Sequence, residues 1–562
     1  MENKNGLKLL GLGIVVFIVI FIGIFATNNI GKSDKEVSEE KAHKQLENIL
    51  DNVYVTRVDS VKANLADEKY ASLEAAEELP DISKYPLSVE GNGEINIEIF
   101  TSTEKGGNGS DGWLNDVAKA FNKEKYTYDG KTVSVSVRSL ASGLAADYIS
   151  TGKYVPNAFT PSNELLIRLI ENNNVSTELI SDRLVGNVAG ILLDNDTYNS
   201  ITQLYGSCSV KTVVQATADG EIAMGYTNPL ASSTGLNFLM ATLDSFDSKN
   251  LLSDEAIKYF QEFQANVPFV SYTTTQMKNA AEASTLDGMI TEYQAYKNSS
   301  SLSKYKFIPF GVRHDNPLYA VGTNTNAEIE ALNMFAEYCK NEESQKLASK
   351  YGFNYLDDYK NEGTDIFTGQ EISSAQSIWK EEKDTLPVTA IFVADISGSM
   401  SGEPIINLQT SLINASQYIN KDNYIGLISY SNDVYINLPI EQFDMNQRAK
   451  FIGAVNNLYA NGGTATFDAI AVATKMLLEA KEANPDTKLM MFLLSDGETN
   501  RGCDLSAIKT VLSFYNIPVY TIGYNADIDA LQTISNINEA SSINADSEDI
   551  VYQLKNLFNS QM

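Results

Sequence analysis

The chain has few residues of the types that most often carry acid-base or nucleophilic catalysis. Its 562 residues include two histidines, His43 and His314, and three cysteines, Cys208, Cys339 and Cys503, with no C-x-x-C pair. Three thiols do not form a disulfide scaffold, although they permit one bridge. With so little histidine, a Ser-His-Asp hydrolase or a histidine-rich zinc site is poorly supported. We therefore expect a protein that is not an enzyme.

Basic residues are also scarce relative to acidic ones. There are 42 Lys and Arg residues against 72 Asp and Glu residues, which gives a net charge of −30. Binding to a phosphate backbone needs clustered Lys and Arg side chains, so we expect no nucleic-acid partner. A chain of this length should fold into two or three domains, each with its own core.

One long apolar run is present near the N-terminus. Leu9–Ala26 contains no charged residue and is long enough for a tilted transmembrane helix. Lys4 and Lys8 precede it, which places residues 1–8 in the cytoplasm and the bulk of the chain outside. The sequence thus predicts a single-pass cell-membrane protein that contacts the membrane through this helix. A cleaved signal peptide is the alternative, but its apolar region should be shorter.

The rest of the chain divides by composition. A polar and charged segment, with a helical pattern at Glu39–Leu50 and at Leu65–Leu79, indicates a stalk. Two regions with globular patterning follow it, separated by a second polar stretch. The predicted divisions after the transmembrane helix at 9–26 are a stalk (27–90), a first globular domain (91–360), a linker (361–385) and a second globular domain (386–562).

In residues 91–360, strand-like and helix-like patterns alternate, which predicts an α/β domain with a parallel sheet. Glu221–Tyr226 reads as a strand and Leu236–Leu243 as a helix, and the turn between them is rich in hydroxyl groups. The free N–H groups and the dipole of a helix N-terminus favour polar or anionic ligands. We therefore expect a ligand-binding turn at residues 227–235.

The segments FTSTEKGGNGSDGWLNDVAKAFN, TPSN and GYTNPLASSTGLNFL of this region resemble the extracellular solute-binding proteins of ABC transporters. That resemblance implies a two-lobed periplasmic-binding-protein fold of type 2, with a small polar or anionic solute bound between the lobes. Alternatively, the matching hydroxyl groups are ordinary N-caps and turn residues. The cleft residues that the resemblance implies are Ser102, Thr103, Ser162, Asn228, Ser232, Ser233 and Thr234.

The second globular domain begins with the segment VTAIFVADISGSM, Val388–Met400. Its apolar part reads as a buried strand, and Asp395, Ser397 and Ser399 follow at intervals of two residues. A carboxylate and two hydroxyl groups are hard oxygen ligands, which suit Mg²⁺, Mn²⁺ or Ca²⁺ rather than zinc. This strand end is therefore a candidate part of a cation site.

Two later loops supply further oxygen atoms. Thr464 lies in the segment NGGTAT before a predicted helix, and Asp496 follows the apolar strand Leu489–Leu494. In open α/β sheets, ligands bind at the carboxyl ends of the strands. We therefore expect Asp395, Ser397, Ser399, Thr464 and Asp496 to form one site.

The segments DISGSM, GGTATFDAI and SDGETN together resemble a von Willebrand factor type A domain with a metal-ion-dependent adhesion site. The resemblance implies a Rossmann-like fold with a parallel central sheet. It also implies that Ser397, Ser399 and Thr464 coordinate a divalent cation, most simply Mg²⁺, and that Asp395 and Asp496 act directly or through water. One coordination position would accept an Asp or Glu side chain of a protein partner.

These observations predict a membrane-anchored extracellular binding or adhesion protein that captures an acidic group of a protein partner through a divalent cation. The alternative is a solute-binding receptor for transport or signalling, with the second globular domain as an accessory. A hydrolytic mechanism based on a carboxylate or on metal-bound water is a third and weaker hypothesis.

Overall fold

The structure is a computed structural model. It describes residues 39–59, 61–65, 79–267, 269–271, 277, 286–364, 366–382, 387–497, 499–524, 531, 534–535, 542–544, 554–555 and 557–558. Helices pack on three sheets in these residues, and none of the sheets closes into a barrel. The predicted α/β class is confirmed, but the sheets of residues 91–360 are not purely parallel as predicted, since they contain antiparallel pairs such as Ile191 opposite Ile290.

The elements are numbered in chain order. The strands are β1 (Val55–Arg57), β2 (Leu87–Val89), β3 (Ile95–Thr101), β4 (Thr127–Tyr128), β5 (Lys131–Ser139), β6 (Ala158–Thr160), β7 (Thr177–Ser181), β8 (Ala189–Leu193), β9 (Met224–Thr227), β10 (Phe269–Ser271), β11 (Gly288–Glu292), β12 (Lys306–Pro309), β13 (Leu318–Val321), β14 (Val388–Asp395), β15 (Tyr424–Tyr430), β16 (Val434–Gln442), β17 (Lys488–Ser495), β18 (Val519–Gly523) and β19 (Ser542–Asn544). The helices are α1 (Glu39–Leu50), α2 (Thr103–Gly106), α3 (Trp113–Glu124), α4 (Ser142–Thr151), α5 (Leu165–Asn172), α6 (Asn195–Tyr205), α7 (Val210–Ala218), α8 (Ser233–Phe246), α9 (Asp254–Asn266), α10 (Tyr293–Asn298), α11 (Asn326–Lys340), α12 (Glu342–Lys350), α13 (Gly369–Glu382), α14 (Glu403–Ala415), α15 (Met445–Asn456), α16 (Thr466–Ala483) and α17 (Leu505–Tyr515).

The middle domain, residues 79–382, has two lobes, each built on its own sheet. Lobe 1 has the strand order β2-β5-β3-β6-β13-β7, with β4 paired to β5, and lobe 2 has the order β10-β9-β11-β8-β12. The chain crosses between the lobes after β7 and after β12. The two crossover segments meet at an isolated antiparallel bridge between Asn187 and His314. The loops at the strand ends of both lobes therefore face one cleft.

The segment predicted as a linker, 361–385, differs from that prediction in the structure. Its helix α13 packs on the middle domain, where Ile372, Ala375 and Trp379 are fully buried. The indole Nε1 of Trp379 donates a hydrogen bond of 2.7 Å to the hydroxyl of Tyr226 in lobe 2. An amphipathic helix buries its apolar stripe against the nearest core, so α13 is part of the domain rather than a connection.

The C-terminal domain is organised around β14, whose eight residues are all buried. Its sheet has the order β1-β16-β15-β14-β17-β18-β19, in which only the β15–β16 pairing is antiparallel. Hydrophobic clusters cover both faces of the sheet, which explains why its central strands read as continuous apolar runs. The sequence patterns did not predict β16, since its alternation of buried and half-exposed residues is irregular.

The segment predicted as a stalk, 27–90, also differs in its described part. Strand β1 pairs in parallel with β16, with Val55 opposite Val434. Helix α1 buries Leu46 and Ile49 in the core cluster that includes residues of α16 and α17. An isolated 12-residue helix is marginal in water, so this apolar stripe requires a partner surface. The middle domain is therefore inserted between two parts of the C-terminal domain.

The predicted transmembrane helix, residues 9–26, lies outside the described residues. Among the helices that the structure does describe, none is both long enough and apolar enough to cross a membrane. The longest of these is α16, which has 18 residues and carries charged side chains such as Lys475 and Glu479. On this finding, the predicted localisation as a single-pass cell-membrane protein is wrong.

Candidate functional site

Three loops of the C-terminal domain meet at one edge of its sheet. Strands β14 and β17 are parallel neighbours, so the loops that follow them begin at the same edge. The loop before α16 joins them through backbone hydrogen bonds: Gly398 N donates to Gly462 O (3.0 Å), and Asn461 N donates to Ile396 O (2.7 Å). These bonds hold the loops of Asp395 and Thr464 against each other.

The carboxylate of Asp395 is fully buried and held on both sides. Its Oδ1 accepts the backbone N–H of Ser397 at 2.8 Å, and its Oδ2 accepts hydrogen bonds from Ser495 Oγ (2.7 Å) and Tyr430 OH (3.3 Å). Burial raises the pKa of Asp395, and the negative charge of Asp496 raises it further. A positive charge close to these two carboxylates would be stabilised and would lower the pKa of Asp395.

The two serine hydroxyl groups are as close together as adjacent ligands of a small cation would be. Ser397 Oγ and Ser399 Oγ are 3.0 Å apart. Two oxygen atoms bound at right angles to Mg²⁺, each at about 2.1 Å, would be about 3.0 Å apart. Thr464 is positioned by Asn500, whose Oδ1 accepts the Thr464 N–H at 3.0 Å. By their donor chemistry, the two carboxylates and three hydroxyls suit a hard divalent cation.

Sequence patterns missed the residues that position these groups. Ser495 and Asn500 lie in the segment SDGETN but were not predicted as site residues, and Tyr430 carries no motif of its own. Across the described part of the chain, no group of three or more His, Cys, Asp or Glu side chains could hold a metal ion. The candidate site is recognisable only when hydroxyl ligands are included.

The cleft of the middle domain contains most of the predicted solute-binding residues. Five of the seven line a cavity between the lobes, and its volume is about 10 Å³. The other two, Ser102 and Asn228, are buried beside it. The Asn228 Oδ1 accepts the N–H of Leu230 at 2.8 Å, which is a turn contact. The cavity-lining residues that were predicted are Thr103, Ser162, Ser232, Ser233 and Thr234.

Lys105 follows the cavity-lining residue Glu104 in the chain, and its side chain is fully buried, which the sequence did not predict. Its Nζ donates hydrogen bonds to Ser102 Oγ (3.0 Å), Thr160 O (3.0 Å) and Asn316 Oδ1 (2.8 Å). Burial lowers the pKa of Lys105 to about 8, although the charges of Glu104 and Glu292 oppose that shift. No local pattern predicts a buried lysine, because its partners come from distant parts of the chain.

Glu292, at the end of β11, provides the buried negative charge on the other lobe. Its Oε1 accepts a hydrogen bond from Thr234 Oγ1 (3.1 Å) and lies 2.9 Å from His314 Nδ1. Its Oε2 accepts a hydrogen bond from Asn187 Nδ2 at 2.5 Å. Burial raises the pKa of Glu292, but the charges of His314 and Lys105 and the hydrogen bonds of His314 and Thr234 lower it below its usual value.

The buried lysine makes the stability of the chain depend on pH. The folded-state pKa of Lys105, about 8, is below its usual value of 10.5, so between these values the unfolded chain binds more protons. Stability should therefore rise with pH in this window, by at most about 1.4 kcal/mol per pH unit. Denaturant unfolding at several pH values measures the slope, and Lys105→Met serves as the comparison. An equal slope in both proteins would contradict the assignment.

None of the three cysteines forms a disulfide. Cys339 is buried, and Cys208 and Cys503 are half-buried. Burial raises the pKa of Cys208 to about 11 and that of Cys503 to about 12, so neither thiol is activated as a nucleophile.

These observations describe an α/β protein with two domains of binding type, one with an oxygen-lined site and one with an interlobe cleft. Comparison with protein families also identifies two domains. Residues 391–559 match the von Willebrand factor type A domain, and residues 106–354 match the bacterial extracellular solute-binding protein family. The chain thus carries both domains, which indicate an extracellular binding or adhesion protein.

Curated relatives match only part of the chain. An uncharacterized protein from Synechocystis sp. is 29% identical over 141 residues, which is 25% of this chain and 32% of that protein. Inter-alpha-trypsin inhibitor heavy chain H2 from Mus musculus is 27% identical over 190 residues, which is 32% of this chain and 20% of that protein. The chain therefore spans less than a third of the length of either relative.

Solved structures similar to each domain were also found. The von Willebrand factor type A protein from Catenulispora acidiphila is 20% identical, and its TM-score is 0.28. The match covers 31% of this chain and 42% of the chain of that protein. The sulfate-binding protein SubI from Mycobacterium tuberculosis is 15% identical, and its TM-score is 0.34. The match covers 47% of this chain and 88% of the chain of SubI.

Proposed function

We propose that this chain is a binding or adhesion protein, not an enzyme, and that its C-terminal domain captures an acidic side chain of a protein partner through a divalent cation, most simply Mg²⁺. The observation that carries the proposal is the convergence of two serine hydroxyls, 3.0 Å apart, beside the buried carboxylate of Asp395. A bound Mg²⁺ would supply an exchangeable coordination position for a carboxylate.

The residues of the chain have separate roles in this proposal. Ser397, Ser399 and Thr464 would hold the cation, and Asp395 and Asp496 would neutralise it directly or through water. Ser495 and Tyr430 keep the Asp395 carboxylate in a single orientation, since both donate to its Oδ2. Because the chain has a net charge of −30, an acidic partner would be repelled unless a cation were present at the site.

The alternative hypothesis, a solute receptor with the C-terminal domain as an accessory, is less well supported. The cavity between the lobes, about 10 Å³, has space for about one water molecule. Retained affinity for a small oxyanion or sugar in the Asp395→Ala protein would favour this alternative.

Thermal unfolding of the full chain tests the cation site. Excess Mg²⁺ or Mn²⁺ should raise the unfolding temperature of the wild-type C-terminal domain, because a ligand that binds only the folded state stabilises it. In Asp395→Ala this rise should be absent. Asp504→Ala is the matched control, since Asp504 is an exposed carboxylate of the same domain without a capping hydrogen bond. A cation-dependent rise that persists in Asp395→Ala would refute the site.

Partner capture tests the function that rests on this site. Wild-type protein and Asp395→Ala are used as baits for surface extracts, each with Mg²⁺ and with EDTA. We expect specific partners to bind only the wild-type bait, and only with Mg²⁺. If partners bound equally to both baits, with Mg²⁺ and with EDTA, their recognition would not depend on the cation.

A further inference from the structure

Two large apolar side chains are exposed beside the loops of the candidate cation site. Ile406, in the first turn of α14, is 58% exposed, and Tyr459, which precedes the loop of Thr464, is 74% exposed. The buried stripe of α14 contains Leu408 and Leu412, so Ile406 lies off that stripe. Side chains with this exposure contribute little to the core and are available for contact with a partner.

These two side chains border the same part of the surface. Gln409 is three residues after Ile406, so both lie on one side of α14. The Gln409 Nε2 donates hydrogen bonds to the carbonyls of Val455 and Leu458, each at 3.1 Å, and Leu458 immediately precedes Tyr459. Single exposed apolar residues are common, but here two from different elements lie together and form an apolar patch.

The apolar patch is continuous with the candidate cation site. Asn461, two residues after Tyr459, donates its N–H to Ile396 O at 2.7 Å, in the loop that contains Asp395. That same loop leads into α14, on which Ile406 lies. A partner group at the cation site would therefore have the patch beside it.

Arg501 adds a positive charge to this surface. Its side chain lies over Gly463, the residue before Thr464, since a Cβ atom on Gly463 would be 2.7 Å from the Arg501 Nε. Its backbone N–H also donates to Thr464 O at 3.2 Å. In the part of the chain that the structure describes, the guanidinium has neither an ion pair nor a hydrogen bond. Although the chain has 72 acidic residues, this charge is thus available to an anionic group of another molecule.

We propose that Ile406, Tyr459 and Arg501 form a docking surface around the cation site, and that its occupant is a protein segment in which an Asp or Glu side chain is close to a large apolar side chain. This inference rests on the proposed function, since the acidic group would take the open coordination position. Arg501 provides a positive charge for that carboxylate, and the apolar patch covers the neighbouring side chain. Coordination alone does not distinguish one carboxylate from another, so these contacts select the partner.

Selection from a peptide library tests the kind of partner. Phage that display random heptapeptides are bound to the wild-type full chain in Mg²⁺ and eluted with EDTA. We expect the recovered peptides to be enriched in Asp or Glu with a large aliphatic or aromatic residue at an adjacent or next-but-one position. Recovery of no peptides, or of acidic peptides without such a neighbour, would overturn the inference.

Substitutions then test the surface, with a recovered peptide as the probe. In Mg²⁺, Tyr459→Ala, Ile406→Ala and Arg501→Ala should each weaken its binding by about fivefold or more. All three side chains are exposed, so the variants should fold. Met445→Ala and Lys421→Ala are the matched controls and should bind as the wild type does. Met445 is 66% exposed at the other end of α15, and Lys421 is exposed before β15, at the opposite edge of the sheet.

The results distinguish a failure of this inference from a failure of the proposed function. The Mg²⁺-dependent rise in unfolding temperature should persist in Tyr459→Ala and Arg501→Ala, because neither residue is a proposed cation ligand. If these variants bind the peptide as tightly as the wild type while Asp395→Ala does not bind it, the docking surface is wrong and cation-dependent capture stands. If Asp395→Ala binds the peptide as tightly as the wild type, both the proposed function and this inference fail.

Discussion

Leu46→Ala should lower the free energy of unfolding of the C-terminal domain by about 2–5 kcal/mol, the range for a buried leucine truncated in a core. Leu46 is 2% exposed and packs in the cluster that contains residues of α16 and α17. The free energy of unfolding of a typical domain is only about 5–15 kcal/mol. A loss of this size would therefore be a large fraction of the stability of the domain, although Leu46 is far in sequence from the rest of that domain. Denaturant unfolding of the full chain measures it.

Lys44→Ala is the control, because Lys44 is exposed on the same helix. It should change the free energy of unfolding by less than about 0.5 kcal/mol. Removing residues 1–59 should have a larger effect than Leu46→Ala, since β16 would also lose its pairing with β1 and become an exposed edge. If Leu46→Ala behaved like Lys44→Ala, helix α1 would not be part of the domain in solution.

Trp379→Ala should destabilise the middle domain by about 3–5 kcal/mol. The Trp379 ring is fully buried, and its Nε1 donates to the Tyr226 hydroxyl, which in turn donates to Gln264. The substitution leaves a large cavity and removes one partner of a buried hydroxyl. Denaturant unfolding of the full chain, followed by circular dichroism, gives the loss.

Two variants separate packing from hydrogen bonding at this position. Trp379→Phe keeps most of the ring and should cost less, about 1–3 kcal/mol, mainly through the lost hydrogen bond to Tyr226. Ser377→Ala, on the exposed side of α13, should be close to neutral. An equally small effect of Trp379→Ala would restore the interpretation of this segment as a linker.

The sequence predicts the cation site from local patterns and one topological rule, and cation binding there stays a prediction. Each loop carries its own motif, and strands β14 and β17 are continuous apolar runs whose direction in the sheet follows from the α/β alternation. Carboxyl ends of parallel strands meet at one edge, so residues 395 and 496 could be brought together without coordinates. The groups that orient Asp395 were missed because Tyr430 enters the site from a neighbouring strand without a motif.

The cleft of the middle domain was predicted less completely. The resemblance to solute-binding proteins implied five residues that line the cavity. Lys105 and its acceptor Asn316 were not predicted, because they are far apart in sequence and meet only in the folded chain. A buried charge is stable only with partners supplied by the tertiary fold, and no sequence window contains those partners.

By itself, the sequence determined the two α/β domains and their order and indicated the candidate oxygen ligands of the proposed cation site, because periodicity and loop motifs are local properties. Only the tertiary structure decided that α1 and β1 belong to the C-terminal domain and that α13 belongs to the middle domain. Short polar segments with a narrow apolar stripe have little preference of their own. Their place in the fold depends on which core offers a complementary surface, and that surface exists only once the chain has folded.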